Sequence, residues 1–303
     1  MKRSILHMLD PTPNNSPFDI NMALDAGFDV LIPYNNVKLE DVHNLTQDAI
    51  FSRSPAGAKK TAIFIGGRNL GLAIDMLHTA KLAMVPPFAI SVFADPSGAF
   101  TTAASLVACV EKQLNEKHGL NLGESKVIVF GGTGPVGIAT GIIAALAGAD
   151  TTVVDHLCFE TAADVTKQYN RRFKCYLHPA VANNDQDKID LIKDADIVFC
   201  TAKAGIQVLN ANVLKEAHQL KVAGDVNAVP PAGIEGVEAG DMGAPLIYAP
   251  NEKAVAVGAL GVGNVKYQVQ HALLASMLET EKPIYLDFRC AFKTAQEYLK
   301  EHG

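Results

Sequence analysis

The chain has 303 residues, of which 49% are hydrophobic and only 19% charged, with a formal net charge of −6 and a pI near 5.8. This composition excludes disorder, because enough apolar surface exists to offset chain entropy, and the acidic balance argues against a nucleic-acid coat. At roughly 100–200 residues per domain the length allows about two domains, and a charge fraction below the usual ~25% points to surface hidden in a cleft or a subunit interface.

The chain starts MKRSILHMLDPTPNNSP, where two early charges precede a short apolar run that Asp10 and Pro11 cut off, so a signal peptide is not expected. Residues 4–9 read as a strand, 19–26 as a helix, 30–33 as a strand and 39–50 as a helix. Residues 61–65 form a strand ending in Gly66-Gly67, and 69–81 carry apolar residues at helical spacing. A short strand at 92–94 runs into the turn Asp95-Pro96-Ser97-Gly98, and 101–118 is a long helix. His7 falls in the strand-like run and reads as a packed or hydrogen-bonded histidine. The nine histidines show no HxxxH or HExxH spacing, so no metal is expected.

A polar hinge, HGLNLGES, spans residues 118–125. Beyond it come a strand at 126–130, a glycine-rich turn and a helix to 147. Strands follow at 151–155, 196–201, 221–225 and 254–258, and helices at 160–173, 185–193, 212–219 and 264–278. The alternation predicts an α/β fold of two lobes facing a cleft: a Rossmann-type doubly wound parallel sheet at 119–265, and an α/β N-terminal lobe made of 1–118 and 266–303. No apolar run reaches the ~20 residues of a membrane helix, so no membrane partner is expected. The five cysteines, Cys109, Cys158, Cys175, Cys200 and Cys290, form no CxxC pair; they read as small buried hydrophobes in a reducing cytoplasm.

The strongest motif is KVIVFGGTGPVG. Gly132, Gly134 and Gly137 fit GxGxxG, with Thr133, Pro135 and Val136 in the variable places, directly after a strand and opening a helix. The first glycine permits the tight turn, the second lets backbone approach a pyrophosphate, and the third allows close helix–strand packing. The helix N-terminus adds free N–H groups and a positive dipole end, and Pro135 suits a first helical turn. Asp155 ends the next strand, where a carboxylate accepts hydrogen bonds from the adenosine ribose hydroxyls and repels a 2′-phosphate, favouring NAD over NADP. The alternatives are a glycine turn that merely packs and an acid that caps a helix or a loop. Arg171 and Arg172 read as a solvated face.

The loop, as VFGGTGPVG (129–137), is one of six such strings, with SPFDINMALDAG (16–27), TAIFIGGRN (61–69), FADPSGAFTTAA (93–104), DVNAVPPAGIEG (225–236) and GALGVGNVKYQ (258–268). Through them the chain resembles, over essentially its whole length, the NAD(P)-dependent methylene-tetrahydromethanopterin dehydrogenases of bacterial one-carbon metabolism. The family is itself similar in architecture to methylene-tetrahydrofolate dehydrogenases. The resemblance implies hydride transfer from a methylene-tetrahydromethanopterin to NAD or NADP, giving the methenyl product, as in methylotrophic formaldehyde oxidation. Nitrogen lone pairs beside the methylene carbon expel the hydride and no proton need move, so positioning is the main task. The resemblance makes Asp19 a carboxylate that stabilises the growing cation and Lys266 a residue that orients the pterin. Phe18, Gly66, Gly67, Thr101 and Thr102 become substrate-binding residues, His156 joins Asp155, and Asn227 and Pro230 line a loop beside the nicotinamide. It also implies a homo-oligomer, trimer or hexamer. Beside these roles stand blander ones: a helix-terminal charge for Asp19, a snorkelling stem for Lys266 and helix caps for the threonines.

Some relatives carry Gly-Arg where this chain has Asp155-His156, which weakens the case for NADP. Tyr34 and Lys38 mimic the YxxxK pair of bifunctional folate dehydrogenase–cyclohydrolases, but the pair follows a strand and a proline in an apparently irregular loop, so no cyclohydrolase activity is expected. Rival readings are a methylene-tetrahydrofolate dehydrogenase, a non-catalytic NAD sensor, and a shikimate- or quinate-type dehydrogenase. The last needs a Lys–Asp pair for proton transfer, and none stands out.

Overall fold

In the computed structural model, which describes residues 3–302, apolar strands and their connecting helices build two sheets. Lys2, one of the two early charges, and residues 1 and 303 of the expected first lobe lie outside the described residues. The elements up to the hinge are β1 (Ile5–Leu9), α1 (Pro17–Asp25), β2 (Val30–Tyr34), α2 (Val42–Phe51), α3 (Pro55–Ala58), β3 (Thr61–Ile65), α4 (Leu70–Leu82), β4 (Ser91–Ala94) and α5 (Ala99–His118). Then come β5 (Lys126–Phe130), α6 (Pro135–Leu146), β6 (Asp150–Asp155), α7 (Phe159–Phe173), β7 (Leu177–Val181), α8 (Asp185–Ile192), β8 (Ile197–Cys200), α9 (Ala211–Leu214) and β9 (Val222–Asp225). The chain finishes with β10 (Met242–Pro245), β11 (Val255–Val257), α10 (Ala259–Glu279), β12 (Tyr285–Leu286) and α11 (Phe288–His302).

Two compact units result. The first comprises 1–101 and 267–294, the second 102–266 and 295–303. The expectation put the helix before the hinge with the first lobe. Most of α5 instead belongs to the second unit, because Leu106 and Val110 lie where a side chain on Gly224 of β9 would be, each 2.9 Å from its Cβ position.

The first unit holds a five-stranded sheet in the order β2-β1-β3-β4-β12, parallel throughout. Every residue of β3 (TAIFI) is buried, which suits a central strand covered on both faces. Phe64 meets Phe93 edge-on at 5.5 Å, and Phe100 meets Phe288 at 5.4 Å. Such pairs contribute about 0.5–1.5 kcal/mol each beyond their buried area. α4 starts one residue after the predicted boundary because Asn69 is its N-cap: the Asn69 side chain accepts the amide of Leu72 at 2.9 Å. His7 hydrogen-bonds the Tyr34 hydroxyl through Nδ1 at 3.1 Å, as a packed histidine should.

The second unit holds seven strands in the order β7-β6-β5-β8-β9-β11-β10. All pairings are parallel except β10 with β11. Leaving aside that antiparallel edge, the order is the doubly wound dinucleotide-binding arrangement. Ile128, Phe130, Val198, Ala223 and Ala256 form one face of its core, against Ile192, Val213 and Leu214. α6 (PVGIATGIIAAL) is apolar almost all round and correspondingly buried.

β7 and β10 were not legible as strands: LHPAV and MGAP each carry a proline, tolerated here because both are edges. β12 has only two residues. The predicted helix 212–219 shrinks to α9, since Glu216 and Ala217 bond three residues back and turn the chain out of the helix. Among the cysteines, Cys109 and Cys200 are buried and their thiols are pushed up to about 12 by that burial. Cys158, Cys175 and Cys290 are only half-buried, contrary to the reading of all five as core residues.

Candidate functional site

In the second unit the topological switch point lies between β5 and β8, where ligands enter open α/β sheets at the strands' carboxyl ends. β5 ends at Phe130 and the chain turns through Gly131–Gly134 into α6. The turn's left-handed residue is Gly131 (φ +68°), one place before the glycine that the sequence nominated for this task. A Cβ on Gly131 would lie 2.6 Å from the amide nitrogen of Ala202, just past β8. Gly137 packs tightest: its Cβ would stand 2.3 Å from the Gly131 carbonyl oxygen and 2.6 Å from the Gly132 Cα. Thr201 reinforces the crossing, its hydroxyl donating to the carbonyls of Phe130 (2.9 Å) and Gly131 (3.2 Å). The doubled glycine in VFGG was the signal for Gly131; nothing local marked Thr201.

Gly134 behaves differently. A Cβ there meets only the Gly131 carbonyl oxygen, at 3.4 Å. It is the N-cap of α6, and no side chain caps that helix. Open space and free helix-terminal donors coincide at this point, as a pyrophosphate requires.

Asp155 closes β6 and is buried. Its Oδ1 accepts the amides of Leu157 (2.8 Å) and Cys158 (3.0 Å), and its Oδ2 accepts the Thr133 hydroxyl (2.7 Å). Burial works to raise its pKa, yet the Thr133 hydroxyl and the two amides outweigh that and hold it below the usual carboxylate value. The structure thus brings Asp155 and the glycine loop together, and the acid also organises its own turn. His156 and Leu157 beside it are exposed, Leu157 by 71%. Pro135 is exposed and Val136 half-buried on the first turn of α6.

The loop after β9 is knit by two buried side chains. Asp225 accepts the amides of Asn227 and Ile234, both at 2.9 Å, and burial pushes its carboxyl up. The Asn227 amide group accepts from Gly205 (3.1 Å) and Val229 (3.0 Å) and donates to the Pro231 carbonyl (2.8 Å). Asn227 therefore holds the loop's shape, while Pro230 is exposed.

In the first unit the switch point lies between β1 and β3. Gly66 and Gly67 sit at the carboxyl end of β3 but are buried against Asp10 and Pro11: Cβ atoms there would come within 2.6 Å of the Asp10 Oδ2 and the Pro11 Cγ respectively. Asp10, which the sequence offered only as the end of an apolar run, accepts the Thr12 amide (2.7 Å), the Thr12 hydroxyl (2.6 Å) and the Gly67 amide (3.2 Å). Thr101 is fully buried, and its hydroxyl donates to Asp95 Oδ2 at 2.6 Å. In place of the substrate-binding role expected of it, its hydroxyl is engaged within the fold at the start of α5. Thr102 is half-buried.

Asp19 occupies the first turn of α1, buried, and accepts from Gln270 Nε2 at 2.8 Å. Gln270, on α10, is wholly buried and was not nominated by the sequence. Phe18 beside Asp19 is 47% exposed, and Lys266, on α10, is half-buried. Tyr34 is the last residue of β2 rather than part of an irregular loop. Its hydroxyl pairs with His7, while the exposed Lys38 ammonium lies 3.5 Å from Glu40. Among the described residues no three His, Cys, Asp or Glu side chains gather as a metal site requires, and no helix is long and apolar enough to cross a membrane.

A doubly wound sheet, a close-packed glycine turn with one open glycine, and a buried acid closing the neighbouring strand define a dinucleotide-binding protein of the dehydrogenase class. Residues 17–97 match the model of the N-terminal domain of methylene-tetrahydromethanopterin dehydrogenase. The NAD(P)-dependent methylenetetrahydromethanopterin dehydrogenase of Methylorubrum extorquens AM1 is 46% identical over 297 residues, covering 98% of this chain and 99% of its own. The chain belongs to that family. The bifunctional protein MdtA of the same organism is 29% identical over the same shares. Among solved structures, shikimate 5-dehydrogenase from Listeria monocytogenes superposes with a TM-score of 0.52 at 13% identity, over 98% of this chain and 96% of that one, a likeness of fold alone.

Proposed function

We propose that this chain catalyses hydride transfer from a methylene-tetrahydromethanopterin to a nicotinamide dinucleotide, giving the methenyl product. Family membership supports the pterin, and the open Gly134 at an uncapped helix start carries the dinucleotide half. Bound there, the nicotinamide accepts the hydride. The chain's own residues bind and orient: the backbone N–H groups of Thr133 and Val136 face the pyrophosphate beside the open Gly134, and Asp155 takes the adenosine ribose. Because no proton moves in the hydride step, no general base is needed. A buried carboxylate suffices to stabilise the cation as it forms, and Asp19, steadied by Gln270, fits that role. Lys266 orients the pterin and the exposed ring of Phe18 offers it a face, with Thr102 as a further substrate residue; Gly66 and Gly67, covered by Asp10 and Pro11, shape the strand end instead.

Asp155 favours NAD over NADP, since its depressed pKa keeps it anionic where a 2′-phosphate would lie. Asp155→Gly with His156→Arg is expected to move the NAD/NADP ratio of kcat/KM toward NADP by about tenfold or more. An unchanged ratio would refute the role given to Asp155. Lys266→Ala is expected to weaken pterin turnover and spare dinucleotide binding; wild-type kinetics would return Lys266 to the surface.

The deciding experiment is a steady-state assay crossing tetrahydromethanopterin and tetrahydrofolate substrates with NAD and NADP. Absence of NADH or NADPH absorbance with the methanopterin would sink the reading. No cyclohydrolase activity goes with it, because the Tyr34 hydroxyl is engaged by His7 and Lys38 reaches outward; hydrolysis of the methenyl product by pure protein would overturn that. A cytoplasmic setting suits five free thiols, three of them partly exposed. The resemblance favours a trimer or hexamer, measurable by sedimentation.

A further inference from the structure

Counting acceptor sites at Asp155 exposes a shortfall. An ionised carboxylate offers about four lone-pair sites, two on each oxygen. Oδ1 is filled by the Leu157 and Cys158 amides, at 2.8 and 3.0 Å. Oδ2 already takes the Thr133 hydroxyl at 2.7 Å, which leaves one site. A ribose diol brings two O–H donors, so a carboxylate held in this way satisfies only one of them.

The second acceptor is adjacent. Thr133 has spent its only proton on Asp155, so both lone pairs of its Oγ1 are available. Giving that proton to a carboxylate also makes the oxygen a better acceptor, because hydrogen bonds in a chain polarise one another. Thr133 stands in the glycine loop between Gly132 and Gly134, next to the open position, and is half-buried. Thr133 Oγ1 and Asp155 Oδ2 thus form a close pair of acceptors at the mouth of the loop, matched in kind to a vicinal diol. We propose that this pair holds the adenosine ribose: Asp155 Oδ2 accepts one hydroxyl and Thr133 Oγ1 accepts the other. Thr133 is then a binding residue in its own right, and the loop that grips the pyrophosphate also reads the sugar. The proposal rests on the dinucleotide reading given above.

The test measures KM and kcat with NAD and with its two analogues lacking the adenosine 2′- or 3′-hydroxyl, in the wild type and in Thr133→Val, Thr133→Ser and Asp155→Ala. In the wild type each deoxy analogue is expected to raise KM about tenfold, the worth of one charge-assisted hydrogen bond. Thr133→Val should raise KM for NAD about tenfold with kcat within about twofold. One of the two analogues should then bind Thr133→Val no worse than NAD does, while the other keeps its full penalty. That selective loss isolates a direct contact, since a merely structural role shifts NAD and both analogues alike. Thr133→Ser, which keeps the hydroxyl, should restore the wild-type pattern. If the valine variant does not fold, as judged by its thermal transition, Thr133→Ala replaces it.

The proposal is overturned if Thr133→Val keeps the wild-type KM for NAD, if both analogues keep their full penalties in it, or if Thr133→Ser is as impaired as Thr133→Val. An Asp155→Ala variant with raised KM beside a normal Thr133→Val sinks this inference alone. An Asp155→Ala variant with unchanged KM sinks the ribose reading beneath it.

Discussion

Each of the two sheets has a switch point, and at each a strand runs out into a doubled glycine: Gly66-Gly67 after β3 and Gly131-Gly132 after β5. The glycines look alike in sequence and serve opposite ends. At the first, the space above them is filled by Asp10 and Pro11, and α4 just beyond is capped by its own Asn69. At the second, the doubled glycine packs against the backbone of Ala202 and Val129, and α6 starts at a glycine with no side chain to cap it. One edge is closed by the protein's own hydrogen bonds, while the other is left with unsatisfied donors and room beside them. A glycine pair is therefore not a ligand site by itself; an uncapped helix start with an unfilled Cβ direction is what distinguishes one.

The largest expected effect tests whether the second loop is as tightly built as this comparison says. Gly137→Ala drives a Cβ into two backbone atoms of the loop, which no side-chain movement relieves. A loss of about 3 kcal/mol is expected, at the upper end for overpacking, together with loss of measurable NAD turnover. A thermal transition within a degree of wild type would show that the turn is slacker than described. Asp10→Ala tests the first edge. It leaves the buried Gly67 amide without its acceptor, at about 2 kcal/mol, and should leave KM for NAD unchanged. A parallel rise in KM for NAD would join the two edges into one functional site and break the comparison.

Gly134→Ser sharpens it by giving the second edge what the first has. At φ −72° the backbone accepts any residue, and a serine at this position caps the helix. Stability should change by no more than about 0.5 kcal/mol, while KM for NAD rises about tenfold or more as the cap competes with the pyrophosphate. Wild-type KM in this variant would remove the main argument for the dinucleotide reading.

The parts of the molecule that were legible in sequence are those whose cause is local. The strand–glycine–helix order of residues 126–147 and the acid ending β6 follow from neighbours in the chain. The edge strands β7 and β10 were hidden, because proline and glycine suppress the strand pattern that an edge does not need. The partnerships of Asp10 with Gly67, of Thr201 with Phe130 and Gly131, and of Asp19 with Gln270 join residues dozens to hundreds of positions apart. No spacing rule reaches that far. Thr101 shows the opposite failure: the resemblance suggested a substrate-binding residue, and only the fold reveals that its hydroxyl already donates to Asp95.

The smallest expected effect separates His7 from Asp155 by pH. In the first unit, burial and then the nearby Arg53 charge hold His7 below its ordinary value of 6.5. Its unfolded form takes up a proton before its folded form does. Its contribution to stability is therefore complete above pH 6.5 and is lost as pH falls from there toward the folded value. In the second unit Asp155 lies below its ordinary 3.8, so its contribution is complete above that and lost only as pH falls through the lower, folded value. His118, likewise lowered by burial, adds a share in the same window as His7. Denaturant unfolding of wild type, His7→Gln and Asp155→Asn at pH 8, 6, 5 and 3.5 checks this. His7→Gln should lose less stability than wild type between pH 7 and 5, by a few tenths of a kcal/mol, since the His118 share remains. Asp155→Asn should differ from wild type by a constant amount down to about pH 4.5, and by less at pH 3.5. If the Asp155→Asn difference instead shrinks between pH 7 and 5, the carboxylate is not held in its charged form, and the charge repulsion invoked against a 2′-phosphate fails with it.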